Sequence, residues 1–378
     1  MTGTAAPASV RVPFGSLDAD YRRRKNEIDA AIARVLSRGR FILGEEVEAF
    51  ERELAESVGV PHVVACASGT DAIAIALGAL GACEEDEVVV PANVCVPVAA
   101  GVRLAGAQLR LSDPDPATLT LSRAGAERVL GPRSRFLLAV HLYGGLADVD
   151  GLGALARERG LLLLEDCAQS LGALFSGGPA GSFGRAAAFS FYPTKNLGAY
   201  GDAGAVATSD ARVAERARRL RQYGWTRRDF SEIEGRNSRM DEIQAAILRA
   251  KLPFLDADNA RRREIAGRYD EAFRELPLAL LSLRPGSVAA PHLYAVRTPS
   301  RDALRSHLSS RGIETGIHYP LPLHLQPAYA FLGHARGDFP VSEAASETLL
   351  SLPLYPTLSA EQVEAVISAV REFFGERR

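Results

Sequence analysis

Leu161-Leu162-Leu163-Leu164-Glu165-Asp166-Cys167-Ala168-Gln169 places four leucines directly ahead of two carboxylates. An unbroken apolar run of this length predicts a strand buried on both faces, as parallel sheets require. Similar runs lie upstream at His62–Ala67, Glu87–Val90, Gln108–Leu111 and Arg135–Leu142. Helical patterns separate them, among them Asp71–Leu80, Leu121–Leu130 and Leu152–Arg159. That alternation predicts an α/β fold, a mostly parallel central sheet with helices on both faces. Two downstream runs, Ala186–Phe191 and Gly204–Thr208, are too close for a helical crossover and predict an antiparallel pair.

The remaining segments complete the plan. A helical stretch at Asp18–Leu36 precedes the sheet and is expected to pack on a smaller unit or a partner. Met240 to Phe273 is helical and charged. Beyond it come strand-like Pro291–Arg297, helical Ser300–Ser310, strand-like Ile313–His318, and helices at Glu343–Leu350 and Ala360–Phe374. At 378 residues the chain exceeds a single core. The expected division is a large α/β unit over 1–255 and a small α+β unit over 256–378.

Composition narrows the function. A net charge of −2 argues against a nucleic-acid footprint. The run Val88–Val102 is broken by Pro91, Asn93 and Pro97, so no membrane partner is expected. The N-terminus lacks a basic start followed by an apolar core, and a cytoplasmic protein is expected. Cys66, Cys83, Cys95 and Cys167 form no C-x-x-C pair and lack histidines at ligand spacing, so no metal site is expected. Of 44 basic residues only Lys25, Lys195 and Lys251 are lysine. Lys25 and Lys251 sit in charged or helical surroundings; Lys195 follows an apolar strand. Lysine forms Schiff bases and arginine does not.

Ligands collect beyond the carboxyl ends of strands in open α/β sheets. Three segments here end strands suitably. Ala67-Ser68-Gly69-Thr70-Asp71 leads into a helix; it is either an ordinary N-cap or an anion cradle, with Gly69 admitting close approach and Thr70 offering a hydroxyl. Asp166 either caps a helix, pairs with an arginine, or holds a protonated nitrogen heterocycle. The third segment carries Ser190 and Lys195, with Gly198 and Gly201 beyond. Cradle, acid and lysine in that order suit pyridoxal 5'-phosphate: an anion site, a carboxylate for the ring nitrogen and an amine for the aldehyde.

At these residues the chain resembles the DegT/DnrJ/EryC1/StrS family of fold-type I pyridoxal-phosphate aminotransferases, which act on nucleotide-linked keto-sugars. The resemblance runs through Gly39–Gly44, Ser68–Ala72, His141–Gly144, Glu165–Ser170, Phe189–Asp202, Asn237–Gln244 and Gly316–Pro320. It implies that Lys195 is the Schiff-base lysine and proton shuttle, and that Asp166 partners the pyridine nitrogen. Gln169 would contact the ring hydroxyl, and Gly69, Thr70 and Ser190 would hold the phosphate. Asn237 would reach the cofactor phosphate of a neighbouring subunit, implying a homodimer with shared active sites. His318 and Tyr319 would touch sugar or amino donor; Arg40, Tyr192 and Arg239 are candidates for the nucleotide or the glutamate carboxylate.

Two departures stand out. Relatives often carry a ring-stacking aromatic where this chain has Cys95, and Gln where it has Gly145, which predicts a more open or reshaped sugar pocket. Relatives that dehydrate their sugar carry His at the lysine position, so Lys195 points to transamination, from L-glutamate or glutamine, in amino-sugar and antibiotic biosynthesis. Tyr223-Gly224-Trp225 and the nearby arginines resemble relatives that aminate C3 of a dTDP-3-keto-6-deoxyhexose. The alternatives are C4 amination of a dTDP-, UDP- or GDP-linked 4-keto sugar, and a non-catalytic regulator that binds the cofactor.

Overall fold

A computed structural model describes residues 10–375; the segment read for a leader lies outside them. Seven strands form the central sheet: β1 (His62–Cys66), β2 (Glu87–Pro91), β3 (Gln108–Ser112), β4 (Ser134–Val140), β5 (Leu162–Asp166), β6 (Ala186–Ser190) and β7 (Gly204–Thr208). Their spatial order is β1-β7-β6-β5-β4-β2-β3. Strand β7 runs antiparallel to both neighbours; the other contacts are parallel. The expected antiparallel pair at Ala186 and Gly204 is therefore present.

Side chains alternate between two cores. Leu164, Ala186, Ala188 and Val206 face one side, with Ile73 and Leu77 of the Gly69–Ala79 helix. Ala187, Phe189, Ala205 and Ala207 face the other, with Phe50 and Leu54 of the Glu45–Val58 helix. Both faces being covered, the strands must be apolar throughout, which is why the leucine run reads as it does. Each buried Leu or Phe contributes roughly 1.5–3 kcal/mol.

A third core joins Ile265, Tyr269 and Phe273 to Tyr294, Val296, Leu304, Leu350 and Val363. The helix Leu255–Phe273 runs between cores, with Leu255 in the sheet core and Phe273 in the third.

Three expectations are corrected. The N-terminal stretch forms two helices, Leu17–Arg23 and Lys25–Arg38. Ala31 and Val35 of the second pack on Ala246 of the Glu242–Lys251 helix, so it docks on the large unit. Ile313–His318 is not a strand: Ile313 and Gly316 make only single bridges, to Val12 and Ser351. The ladder position belongs to Leu349–Leu352, assigned above to a helix, which pairs with Tyr294–Arg297. The preceding helix, Pro340–Thr348, ends immediately before that run, and Pro353 lies beyond it. An apolar run at a helix end carries no periodicity that separates helix from strand.

Candidate active site

Strands β1, β6 and β5 point the same way, so their carboxyl ends converge. A cavity of about 560 Å³ opens there, lined by Gly69, Thr70, Asp166, Ser190, Tyr192, Lys195 and Tyr319. The backbone approaches closely: a Cβ on Gly69 would lie 2.5 Å from Ser190 Cβ, and one on Gly204 2.3 Å from the Ser68 carbonyl oxygen. Only glycine permits this fit. Ser68 caps the Gly69–Ala79 helix by accepting the Asp71 N–H at 3.1 Å. The N–H groups of Gly69 and Thr70, which a helix cannot pair internally, remain at the cavity wall.

The segment Asn237–Lys251 holds both edges of this site. Ser238 Oγ accepts the Ala67 N–H at 3.2 Å and donates to Asp71 Oδ2 at 2.9 Å. Gln244 Oε1 accepts the Tyr200 N–H at 2.8 Å, and Lys251 Nζ donates to the Gly198 carbonyl at 2.7 Å. Lys251, which reads from sequence as an ordinary helix lysine, is buried. It fixes the loop beyond Lys195.

Burial governs the two central groups. It lowers the Lys195 pKa, with Cys95 and Asp166 opposing. It raises the Asp166 pKa, against the Ala168 N–H, Lys195 and His141. Asp166 Oδ1 accepts the Ala168 N–H at 2.9 Å. A buried carboxylate on a cavity wall that is drawn toward neutrality lacks a full counter-charge. A protonated ring nitrogen supplies one. The open N–H groups, this carboxylate and an amine inclined to lose its proton thus fit pyridoxal phosphate.

Glu165 works behind the site. Its Oε2 accepts from His141 Nε2 at 3.0 Å and the Gly181 N–H at 2.9 Å; Oε1 accepts the N–H groups of Phe183 and Gly184 at 2.8 and 2.7 Å. His141 Nδ1 accepts the Ala147 N–H at 3.1 Å, so the ring donates through Nε2. His141, Glu165 and Cys167 bring ligand-type atoms within 4.8 Å, yet hydrogen bonds occupy those of His141 and Glu165. Glu165→Gln sets an amide N–H₂ against N–H donors. We expect a loss of about 3 kcal/mol, read as a lower urea midpoint at unchanged slope; a change under roughly 0.5 kcal/mol would contradict it.

Other sequence-predicted residues lie elsewhere. Gln169 bridges two tyrosines: Oε1 accepts the Tyr143 N–H at 2.7 Å and Nε2 donates to the Tyr319 hydroxyl at 2.9 Å. His318 lines a second cavity. Burial and Lys195 push its pKa down to about 4, and its Nδ1 lies 2.9 Å from Ser351 Oγ. Asn237 and Arg40 are exposed and outside the lysine cavity. Arg239 lines an open groove with Trp225 and five further arginines. Gly145 opens onto a separate pocket of about 100 Å³, where an added Cβ would lie 3.3 Å from Leu283 Cδ2, so it does not widen the Lys195 cavity. Tyr143 escaped the sequence reading; its hydroxyl donates to the His318 carbonyl at 2.9 Å.

The sheet and its converging strand ends define a fold-type I transferase. The chain belongs to the DegT/DnrJ/EryC1/StrS aminotransferase family, whose profile matches residues 22–371. It is 46% identical to dTDP-3-amino-3,4,6-trideoxy-alpha-D-glucose transaminase of Streptomyces venezuelae, covering 96% of both chains. It matches the crystal structure of S. venezuelae DesV in complex with ketimine intermediate at TM-score 0.95 and 45% identity, over 97% of this chain and 100% of that one. NtdA of Bacillus subtilis, with bound cofactor PMP, gives TM-score 0.91 at 28% identity, over 98% of this chain and 86% of that one. Among the described residues no helix is long and apolar enough to cross a membrane.

Proposed function

We propose that the protein transfers an amino group from L-glutamate, or glutamine, to C3 of a dTDP-linked 3-keto-6-deoxyhexose, using pyridoxal phosphate. The carrying observation is the cavity that joins Lys195, Asp166 and the Gly69–Ser190 cradle, in a chain so close to a C3 transaminase.

Pyridoxal phosphate, when bound, supplies a carbonyl for amine exchange and an electron sink for charge developing on carbon. The Gly69 and Thr70 N–H groups and Ser190 Oγ would hold its phosphate. Asp166, buried on the cavity wall, would keep a proton on the ring nitrogen by charge pairing. Lys195 Nζ, whose pKa burial lowers, would take the proton from the donor's α-carbon and redeliver it. Tyr319, fixed by Gln169, borders the space for the sugar. Asn237, exposed beside the cradle-holding Ser238, would reach a partner's cofactor phosphate in a homodimer.

The test is a panel of dTDP-, UDP- and GDP-linked 3-keto and 4-keto sugars, incubated with holoenzyme and L-glutamate, with products read by mass and NMR. A 3-amino dTDP-sugar is expected. A 4-amino product would move the reaction to C4. Cofactor binding without any amination would favour the regulator.

A further inference from the structure

We propose that a second cavity, meeting the first at Lys195, receives a carboxylate of the amino donor, with Arg262 as its counter-charge. This rests on the aminotransferase reading. The cavity measures about 220 Å³, too small for a nucleotide-linked sugar and suited to a small carboxylic acid. Among the described residues, Lys195 is the one that lines both spaces. Arg262, Lys251, His292, His318 and Tyr355 share the second wall with it.

The charge arrangement around this cavity seeks an anion. Its two acids, Asp20 and Asp258, are already engaged. Asp20 accepts from Arg24 Nη1 at 2.5 Å and pairs with Lys251 Nζ at 2.8 Å. Asp258 pairs with Arg23 at 2.9 Å and with Arg24. Arg262 is only 6% exposed; burial lowers its pKa to about 10, outweighing Asp258 and Asp20, which favour its charge from a distance. Its Nη1 donates to the Leu354 carbonyl at 2.8 Å, and among the described residues its Nε has no partner. Three cations thus share two carboxylates before Arg262 is counted. A buried cation with no carboxylate in direct contact is costly to hold. Set in the wall beside Lys195, it gains that contact when a carboxylate enters.

The geometry also separates the co-substrates. The donor's α-carbon has to come within reach of Lys195 Nζ, and its carboxylates need a cation close to that point. Two spaces meeting at one lysine let donor and sugar bring their reacting carbons to the same proton carrier from different sides.

The test compares the two half-reactions of the holoenzyme. In Arg262→Met we expect the donor KM to rise at least tenfold, with the keto-sugar half-reaction changed less than twofold; Arg262→Lys should recover part of the loss. Calorimetry with 2-oxoglutarate should show binding to the wild-type protein and none to Arg262→Met. An unchanged donor KM, or equal loss in both halves, overturns the proposal. Gly15 lies on the rim with nothing within 4 Å of an added Cβ. Should Arg262 variants fail to fold, Gly15→Phe decides: a donor-selective KM rise supports the proposal, and an unchanged one overturns it. If wild-type protein reacts with no amino donor, the aminotransferase reading fails, and the 2-oxoglutarate titration still decides this one.

Discussion

Lys195→Ala is expected to lower turnover by about 10⁴-fold or more, because one side chain serves as both amine and proton carrier. General acid–base catalysis alone is worth roughly 10²–10⁴-fold, and loss of the covalent attachment adds to it. Lys195→Arg should fare no better: a guanidinium keeps the charge and cannot form the Schiff base. Folding should survive both changes. Burial already lowers the lysine pKa, so the fold gains little from its charge, and removing it should leave the thermal midpoint unchanged or slightly higher. Steady-state turnover with L-glutamate and keto-sugar, the visible Schiff-base absorbance and a melting curve check this together. Turnover above about 1% of wild type, or a retained Schiff-base band, would remove Lys195 from the chemistry.

Much of this site was readable from sequence because its parts are local. Leu161–Leu164, short and set among alternating strands and helices, predicts a two-sided strand with Asp166 at its carboxyl end. Ser68-Gly69 and Lys195 follow strands in the same way, and a parallel sheet brings such ends together. What sequence could not reveal depends on contacts between distant segments. Lys251 reads as a surface lysine until Asp20 and the Gly198 carbonyl are seen around it. Arg262 sits in the run Arg261-Arg262-Arg263; Arg261 pairs with Glu264 on the surface, while Arg262 turns inward. No pattern in three consecutive arginines says which one is buried. Gln169 adds a further case: its motif suggested a ligand contact, and only the fold shows that its amide also joins Tyr143 to Tyr319.

Asp166→Asn should move activity and stability in opposite directions. Activity should fall by on the order of 10²–10³-fold, the usual loss when one preorganised charge is removed. Asparagine keeps the acceptor for the Ala168 N–H and lacks the charge that holds a proton on a ring nitrogen. The cofactor-free variant should nevertheless melt higher than cofactor-free wild type at neutral pH. The folded pKa of Asp166 is raised by burial above the ordinary 3.8. Between the unfolded and folded values the native protein therefore holds the extra proton, and stability falls as pH rises through that window. Above the folded pKa the penalty is fully present, and below about 3.8 it vanishes. The melting advantage of Asp166→Asn should thus be largest at pH 7 and shrink toward acid. Loading wild type with pyridoxal phosphate should erase it at pH 7, since the ring nitrogen supplies the missing charge. A carboxylate kept only for folding predicts the opposite, a lower melting point in the variant at pH 7. Melting curves at pH 7 and pH 4, with and without cofactor, separate the two.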